Sequence, residues 1–377
     1  MFRSGTTLIT KALGAHRDVV TVADPFFQMF KGFRNCITKN IDGLKQDFER
    51  PIDDYFCSSY FGELKSIYNS NFSIPLSGKE LKDLINSMKP YVKFYFPELE
   101  RDLNDLQAKT YRDLIINLLD MTYSKIGDEE KFIGFKNTFC EVFSFPLMNS
   151  DLKVKTLFII RDPRAMLASQ NKAKGSSYPI LFALRHWRKS YACAIKSKIE
   201  HPNMCYLLKY EDFIMNPEKH SRLVCDFLGF KYDSGMIEFN NYSNNDGSQW
   251  NQNSSYGTAS KINSEFIERW RTELDSEQIK LVENSCSPEM KALGYLSSSY
   301  ESSSLTFPKF DIEVQDWIKP YIKRYELNGM NLEKETQRLN LLKQPLANIT
   351  KEERQKFFLF DDDSFILNAF QLQSEER

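Results

Sequence analysis

The stretch "MFRSGTTLITKALGAHRDVVTVAD" at residues 1–24 combines the features that decide the fold. A turn rich in glycine and hydroxyl residues comes first, and residues 7–15 follow with the spacing of an amphipathic helix. Residues 18–23 (DVVTVA) are mostly β-branched and predict a short strand that ends at Asp24. Backbone N–H groups and the dipole at a helix N-terminus attract anions. This order therefore predicts a turn that binds an anion.

The turn that begins at Arg3 contains the groups that an anion site needs. Gly5 lets the backbone approach a ligand closely, and Arg3 adds a positive charge. Hydroxyl groups come from Ser4, Thr6 and Thr7. The second glycine and the lysine of the pattern GxxxxGK[ST] are missing, which argues against an ordinary site for ATP and magnesium. Taken by itself, the turn is equally well interpreted as a plain helix cap.

The composition is that of an ordinary globular protein without a general affinity for nucleic acid. Hydrophobic residues make up 41% of the 377 residues, charged residues make up 27%, and the net charge is −1. Seven cysteines occur without a CxxC pair, and there are only four histidines, so we expect no metal site. Any anion must therefore bind at a local cluster of donors.

Two absences predict a cytoplasmic location. The sequence contains neither a run of 18 apolar residues nor a signal peptide before the turn. Only Met1 and Phe2 precede Arg3, although an anion-binding turn of this kind normally follows a buried strand. We therefore expect either an unusually short strand or a start further upstream, which leaves a Golgi membrane anchor open.

Alternating strands and helices predict an α/β fold with a parallel central sheet flanked by helices. Residues 131–136 predict a short strand that ends at Lys136. Thr156–Ile160 (TLFII) has the apolar character of a strand that is buried on both faces, and residues 204–209 predict another strand. The last two strands are each followed by a polar residue and a proline that suit a helix start, at Asp162 and at Asn216, and the second of these helices is expected to end at residue 228 before Gly229.

Three further segments define the domain organisation. Residues 26–130 have helical patterns, such as those over residues 79–88 and 111–126, and many aromatic residues, and they predict a helical insertion or lid on the acceptor side of a domain over residues 1–296. Residues 241–258 are polar and loop-like, residues 265–274 predict a helix, and residues 297–304 form a serine-rich linker. Residues 305–377 predict a helical C-terminal extension, for which an assembly role is one interpretation.

A second anion site is predicted where the strand Thr156–Ile160 ends. Arg161 stands at that carboxyl end, where ligands bind in α/β folds, and its guanidinium suits a phosphate. Ser169 lies about two helical turns further on and can contact the same anion. The alternative is an ion pair between Arg161 and either Asp162 or a surface carboxylate. Two sites at the edge of one sheet predict a ligand with two separate anionic groups.

Three motifs, in this order and spacing, resemble the sulfotransferase superfamily that uses 3′-phosphoadenosine 5′-phosphosulfate (PAPS). They are RSGTTLI at 3–9, IIRDPRAMLAS at 159–169 and YEDFIMNPEKHSRLVCDFLGF at 210–230. The tyrosylprotein and carbohydrate types are the most similar. The resemblance implies a nucleotide-binding fold of the P-loop type. It also implies transfer of a sulfuryl group from PAPS to a hydroxyl group, without a required metal.

The resemblance also implies roles for individual residues. Asp24 stands where the tyrosylprotein type has a catalytic glutamate, so it is the candidate general base, although its side chain is shorter. Lys136 and Arg3 are expected to stabilise the oxygen between phosphorus and sulfur. The residues expected to bind the donor are Arg3, Ser4, Gly5, Thr6, Thr7, Leu8, Arg161, Ser169, Tyr210, Ser255, Lys261 and Arg269.

Two other functions stay open at this level. One is a kinase-like phosphotransferase on a P-loop fold, although such an enzyme needs the lysine that is missing from the turn. The other is an inactive protein that only binds PAPS or its product, which would explain why Asp24 replaces the glutamate. The expected partners are the sulfate donor and a glycan or other alcohol as acceptor, with a peptide as a less favoured acceptor. The oligomeric state is left open.

Overall fold

The computed structural model describes residues 3–39, 41, 61–172, 178–244, 247–250, 252–253, 257–258, 261–297, 299, 332–342, 344 and 348–360. Its fold is α/β, with parallel strands flanked by helices, which confirms the predicted class. The strands are β1 Val19–Ala23, β2 Phe132–Lys136, β3 Thr156–Ile160, β4 Cys205–Lys209, β5 Gln252–Asn253 and β6 Gly257–Thr258.

The helices precede, connect and follow these strands. They are α1 Thr6–Gly14, α2 Phe27–Thr38, α3 Phe61–Tyr68, α4 Gly78–Tyr95, α5 Tyr111–Ile126, α6 Ser144–Met148, α7 Pro163–Lys172, α8 Ile180–Glu200, α9 Tyr210–Met215, α10 Pro217–Leu228, α11 Glu265–Glu268, α12 Trp270–Glu273, α13 Ser276–Ser285, α14 Ser287–Ala292 and two C-terminal helices, Leu332–Leu342 and Lys351–Phe357.

The described strands form two parallel pairs and one short antiparallel pair. β1 runs beside β2 with Ala23 opposite Lys136, and β3 runs beside β4 with Ile160 opposite Lys209. β5 and β6 form the antiparallel pair in the segment that the sequence predicts to be a loop. Because both larger pairs are parallel and in register, the residues that follow each pair of strands emerge side by side.

The described part of the segment that the sequence predicts to be a helical insertion contains α2 to α5. Capping boxes start α4 at Ser77 and α5 at Thr110, each with an acidic residue three positions later. We expected α4 to end near Met88, but it continues through Pro90 to Tyr95. A proline inside a helix removes one backbone donor, and here the buried residues Met88 and Val92 anchor the helix on both sides of it.

Two other local predictions differ from the structure. The single helix expected over residues 265–274 is two short helices, α11 and α12, with Arg269 between them. Asn216 precedes α10 as predicted, but its side chain makes no capping hydrogen bond. The helix ends at Gly229, whose φ of 95° suits a residue without a Cβ.

The C-terminal helix Leu332–Leu342 docks on α8 through buried ion pairs. Glu335 is 1% exposed, and its carboxylate accepts from Arg185 Nε at 2.5 Å and from Arg188 Nη2 at 2.9 Å. In the same helix, Arg338 forms a buried ion pair with Glu289. The residues of the predicted C-terminal extension therefore contact the helix that also supports the candidate site described below.

We expect Glu335→Gln to lower the free energy of unfolding by about 3–5 kcal/mol, because it leaves Arg185 and Arg188 buried without their counter-charge. Urea unfolding at pH 7 measures the loss. Glu333→Gln is the matched control, since Glu333 is an exposed residue of the same helix, and we expect a change within about 0.5 kcal/mol. Equal stabilities of the two variants would contradict the buried ion pair.

The difference in stability between the wild type and Glu335→Gln also depends on pH. Burial opposes ionisation of Glu335, but the charges of Arg188 and Arg185 outweigh it and lower its pKa from 4.5 to about 2. The ion pairs therefore stabilise the protein fully above the ordinary pKa, and their contribution is lost as the pH falls toward the folded-state value. The difference between wild type and Glu335→Gln should shrink on acidification from about pH 4.5 to about pH 2.

Candidate active site

The turn before α1 has a backbone conformation that requires glycine. Gly5 is the N-cap residue of α1 and has a φ of 82°, in the left-handed region. A Cβ at this position would lie 2.3 Å from Cδ2 of Tyr210, the residue that follows β4. Ser4 is fully buried beside it. The turn is thus closely packed against the first residue after β4.

Arg161 connects this turn to the end of β3. Its Nη1 donates to the carbonyl oxygen of Arg3 at 3.0 Å, and its guanidinium lies 4.4 Å from the centre of the Tyr210 ring. Its Nη2 donates to the carbonyl oxygen of Phe266 at 3.2 Å. Nε1 of Trp187 in α8 donates to the carbonyl oxygen of Arg161 at 2.8 Å. Four distant segments of the chain therefore meet at one residue.

No carboxylate in the part of the chain that the structure describes forms a direct ion pair with Arg161. The side chain is 5% exposed, its Nε has no hydrogen-bond partner among the described residues, and no ion pair joins it to a carboxylate there. Asp162 pairs with Arg164 instead, at 2.7 Å, so the alternative in which it pairs with Arg161 is wrong. A buried cation in this setting is stabilised by a bound anion.

The two predicted anion sites lie next to each other. Besides the bond between Arg161 and the Arg3 carbonyl, Nη2 of Arg3 approaches the backbone oxygen of Ser169 at 3.4 Å. Arg3, Gly5, Arg161, Ser169 and Tyr210 are therefore brought together. Together they form a cationic, closely packed surface around the N-terminus of α1.

A second group forms where β1 and β2 end. Oδ2 of Asp24 accepts from Nζ of Lys136, and Oδ1 accepts from the backbone N–H and the hydroxyl group of Thr138 at 2.9 and 3.2 Å. The N–H of Asp24 donates to the carbonyl oxygen of Lys136 at 2.6 Å. These contacts hold the carboxylate in one orientation, beside a positive charge.

Helix α8 contacts both groups through consecutive residues. The ring of His186 packs edge-on against Phe139, which follows Thr138, with centroids 4.6 Å apart. The next residue, Trp187, holds the carbonyl oxygen of Arg161. Since both groups also follow the carboxyl ends of parallel strands, they occupy the part of the fold where α/β proteins bind ligands.

Uncommon backbone conformations concentrate in these two groups. Among the described residues, four that are not glycine have a positive φ, and Arg3, Asp24 and Phe139 are three of them, with φ of 54, 63 and 66°. Lys153 is the fourth. Such conformations cost free energy and persist only where surrounding contacts hold them, which is common at functional sites.

The other residues expected to bind the donor differ in their surroundings. Thr7 and Lys261 are exposed, and Leu8 packs against the cluster around α1 and β4. Arg269 lies over the Phe266 ring and has Glu265 at 3.8 Å. The carbonyl of Thr6 accepts from Thr10 within α1. Ser255 lies outside the described residues.

The sequence analysis did not identify two supporting interactions. Thr138 stands two positions after Lys136. A hydroxyl residue so close to the end of a strand is the sequence signal that could have indicated this contact. Glu211 accepts from the N–H of Asp162 at 2.9 Å and from the hydroxyl group of Tyr295 at 2.8 Å, and burial raises its pKa. No sequence signal connects Tyr295 to this site.

Comparisons with known proteins give a consistent result. A family model described as "Sulfotransferase domain" matches residues 1–294. Carbohydrate sulfotransferase 1 of Rattus norvegicus is 24% identical over 193 residues, which are 45% of this chain and 46% of that protein. Carbohydrate sulfotransferase 3 of Tetronarce californica is 27% identical over 166 residues, which are 38% of this chain and 36% of that protein. The chain spans about half the length of the curated relatives it matches.

Among solved structures, a sulfotransferase domain from the curacin biosynthetic pathway is 15% identical, with a TM-score of 0.43, and the match covers 76% of this chain and 94% of that chain. A sulfotransferase domain from the Synechococcus PCC 7002 olefin synthase is 17% identical, also with a TM-score of 0.43, and the match covers 74% of this chain and 90% of that chain.

The predicted cytoplasmic location is wrong. The curated relatives that the chain matches are carbohydrate sulfotransferases, and these are Golgi membrane-anchored enzymes. None of the helices in the described ranges is both long enough and apolar enough to cross a bilayer.

We expect Gly5→Ala to lower the free energy of unfolding by at least about 1–2 kcal/mol, because alanine is strained at this φ and its Cβ would collide with Tyr210. Gly78→Ala is the control: Gly78 starts α4, and its added Cβ would meet no atom within 4 Å. That variant should be neutral or more stable by about 0.5 kcal/mol. Equal thermal stability of the two variants would contradict the close approach at Gly5.

Proposed function

The chain belongs to the sulfotransferase domain family, and on that premise we propose that it transfers a sulfuryl group from PAPS to a hydroxyl group of a glycan. The observation that carries the proposal is the contact between the turn at Gly5 and Arg161, which joins two anion-binding elements in one site. PAPS has a phosphosulfate at one end of its ribose and a phosphate at the other. A ligand of this kind needs two such elements side by side.

The chain's residues fit the donor in charge and in hydrogen-bond donors. The N-terminus of α1 and the turn at Gly5 offer backbone N–H groups to the phosphosulfate. Arg161 offers its Nε, which has no hydrogen-bond partner among the described residues, to the phosphate at the other end. Tyr210 keeps both elements in place, because its ring contacts the turn on one side and the guanidinium of Arg161 on the other.

The group at the ends of β1 and β2 fits the acceptor side of the reaction. Asp24 takes the proton from the acceptor hydroxyl group, and Thr138 keeps its carboxylate oriented for that step. Lys136 and Arg3 supply positive charge where negative charge develops on the oxygen that leaves sulfur. PAPS supplies the sulfuryl group, and the acceptor oxygen attacks in line with the bond that breaks.

The names of the curated relatives support a glycan as the acceptor. They are carbohydrate sulfotransferases from several vertebrates. A sugar hydroxyl group also needs a general base, and Asp24 provides one at the strand ends. A peptide acceptor is therefore the less favoured alternative.

We expect adenosine 3′,5′-bisphosphate, the product left by the donor, to raise the free energy of unfolding by about 2.7 kcal/mol at one hundred times its Kd. Magnesium-ATP at the same concentration should have no such effect. Arg161→Ala should weaken binding of the bisphosphate roughly 10- to 100-fold, because it removes hydrogen bonds to a charged group. Thermal unfolding and calorimetry measure both effects.

The control for this variant is Arg222→Ala, since Arg222 is exposed on α10 and pairs with Glu218 at 2.7 Å. Its affinity for the bisphosphate should equal that of the wild type. Protection by magnesium-ATP without protection by the bisphosphate would favour a kinase-like phosphotransferase and overturn the proposal.

We expect Asp24→Asn to lower kcat for sulfate transfer by about 10²- to 10⁴-fold while the affinity for the bisphosphate is kept, because an amide cannot accept the proton. Asp18→Asn is a matched control. Asp18 pairs with Lys131 at 3.5 Å, at the opposite ends of the same two strands. An unchanged kcat in Asp24→Asn would show that another residue is the base.

A further inference from the structure

The aromatic residues of the insertion fall into two sets that the sequence does not distinguish. Among the described residues, six of them are buried in the core: Phe26, Phe30, Phe33, Phe72, Phe96 and Tyr111. A second set faces water on one side of α4: Tyr91 is 36% exposed, Phe94 78% and Tyr95 41%. We use the name aromatic platform for these three residues together with Phe27 of α2.

The members of the aromatic platform form one continuous surface. The rings of Phe27 and Tyr91 are stacked, with centroids 5.8 Å apart and an angle of 18° between their planes. Phe94 meets Tyr95 edge-on at 4.8 Å. Tyr91 and Tyr95 are four positions apart in α4 and therefore lie on the same face of the helix.

This surface borders the candidate general base. Phe27 is the first residue of α2 and stands three positions after Asp24, so the ring that stacks on Tyr91 belongs to a residue four positions after the end of β1. The negative charge of Asp24 also reaches the Tyr95 hydroxyl group, where it adds to burial in raising the pKa of that phenol. The aromatic platform and Asp24 therefore belong to the same side of the molecule.

We propose that the aromatic platform is the acceptor subsite and that it holds one pyranose ring of the glycan by stacking, with the hydroxyl group to be sulfated turned toward Asp24. This inference rests on the proposed function. A pyranose ring has an apolar C–H face and a rim of hydroxyl groups, and tyrosine likewise combines an apolar face with a polar tip.

The openness of the aromatic platform favours a sugar over an aromatic peptide side chain. An apolar ligand group is usually enclosed on most sides by its pocket. A sugar keeps its hydroxyl rim in water while one face is covered. The large exposed fraction of Phe94 and of both tyrosines matches a surface that covers one face only.

The test measures sugar binding directly, with the full chain saturated with adenosine 3′,5′-bisphosphate. A panel of neutral and uronate-containing disaccharides is screened by saturation-transfer NMR, and the Kd of the best one is measured for each variant. We expect Tyr91→Ala and Tyr95→Ala to raise that Kd about tenfold, equivalent to about 1.4 kcal/mol. Tyr91→Phe and Tyr95→Phe keep the stacking face and should stay within about threefold of the wild type.

Phe132→Ala is the matched control, because Phe132 is a 39% exposed aromatic residue at the other end of the strand that carries Lys136. It should leave the sugar Kd unchanged. All variants must bind the bisphosphate as the wild type does, which shows that they are folded. If an alanine variant fails to bind the bisphosphate, it is replaced by the corresponding leucine variant. Leucine fills the space but has no aromatic face.

The inference is overturned if no disaccharide binds the wild type, if the alanine variants bind the sugar as the wild type does, or if a tyrosine peptide binds the aromatic platform instead. A parallel transfer assay separates this result from the proposed function. Transfer that proceeds with an unchanged acceptor KM in both alanine variants would refute the subsite and keep sulfotransfer. Sugar binding that depends on the tyrosines, without any transfer, would keep the subsite and refute catalysis.

Discussion

A single buried guanidinium holds the candidate site together. Arg161 follows β3, donates to the carbonyl oxygens of Arg3 and Phe266, and lies against the ring of Tyr210, while Trp187 binds its own carbonyl oxygen. These residues come from segments far apart in the chain. A charged group at 5% exposure is costly to bury, and the bound anion that we propose offsets that cost.

The charges around Arg161 are arranged so that it stays available to a ligand. Its neighbour Asp162 is taken up by Arg164, which also binds Glu283 at 2.6 Å. Glu211, which lies close enough for its pKa to respond to Arg161, is held by the Asp162 N–H and the Tyr295 hydroxyl group. The acidic side chains of this region are therefore fixed by partners other than Arg161.

Helix α8 connects the site to the C-terminal part of the chain. Trp187 faces Arg161, and Arg185 and Arg188 on the same helix bind Glu335 from a segment beyond the family match. Removing one partner of such a buried ion pair lowers the free energy of unfolding by more than the intact pair contributes to it, because the remaining buried charge is left without compensation. The position of α8 thus depends on residues outside the shared domain.

The sequence by itself determined most of the parallel strands and helices and the strand ends at which the candidate residues stand. Period, turn residues and strand ends are local properties, so α5, β3 and the helix from Pro217 were predicted with their observed bounds, and Arg161 and Lys136 with their positions at strand ends. Only the tertiary structure decided which partners these residues take. The bond from Thr138 to Asp24, the burial of Glu335 and the division of the aromatic residues into core and surface all depend on contacts between distant segments, which no local pattern encodes.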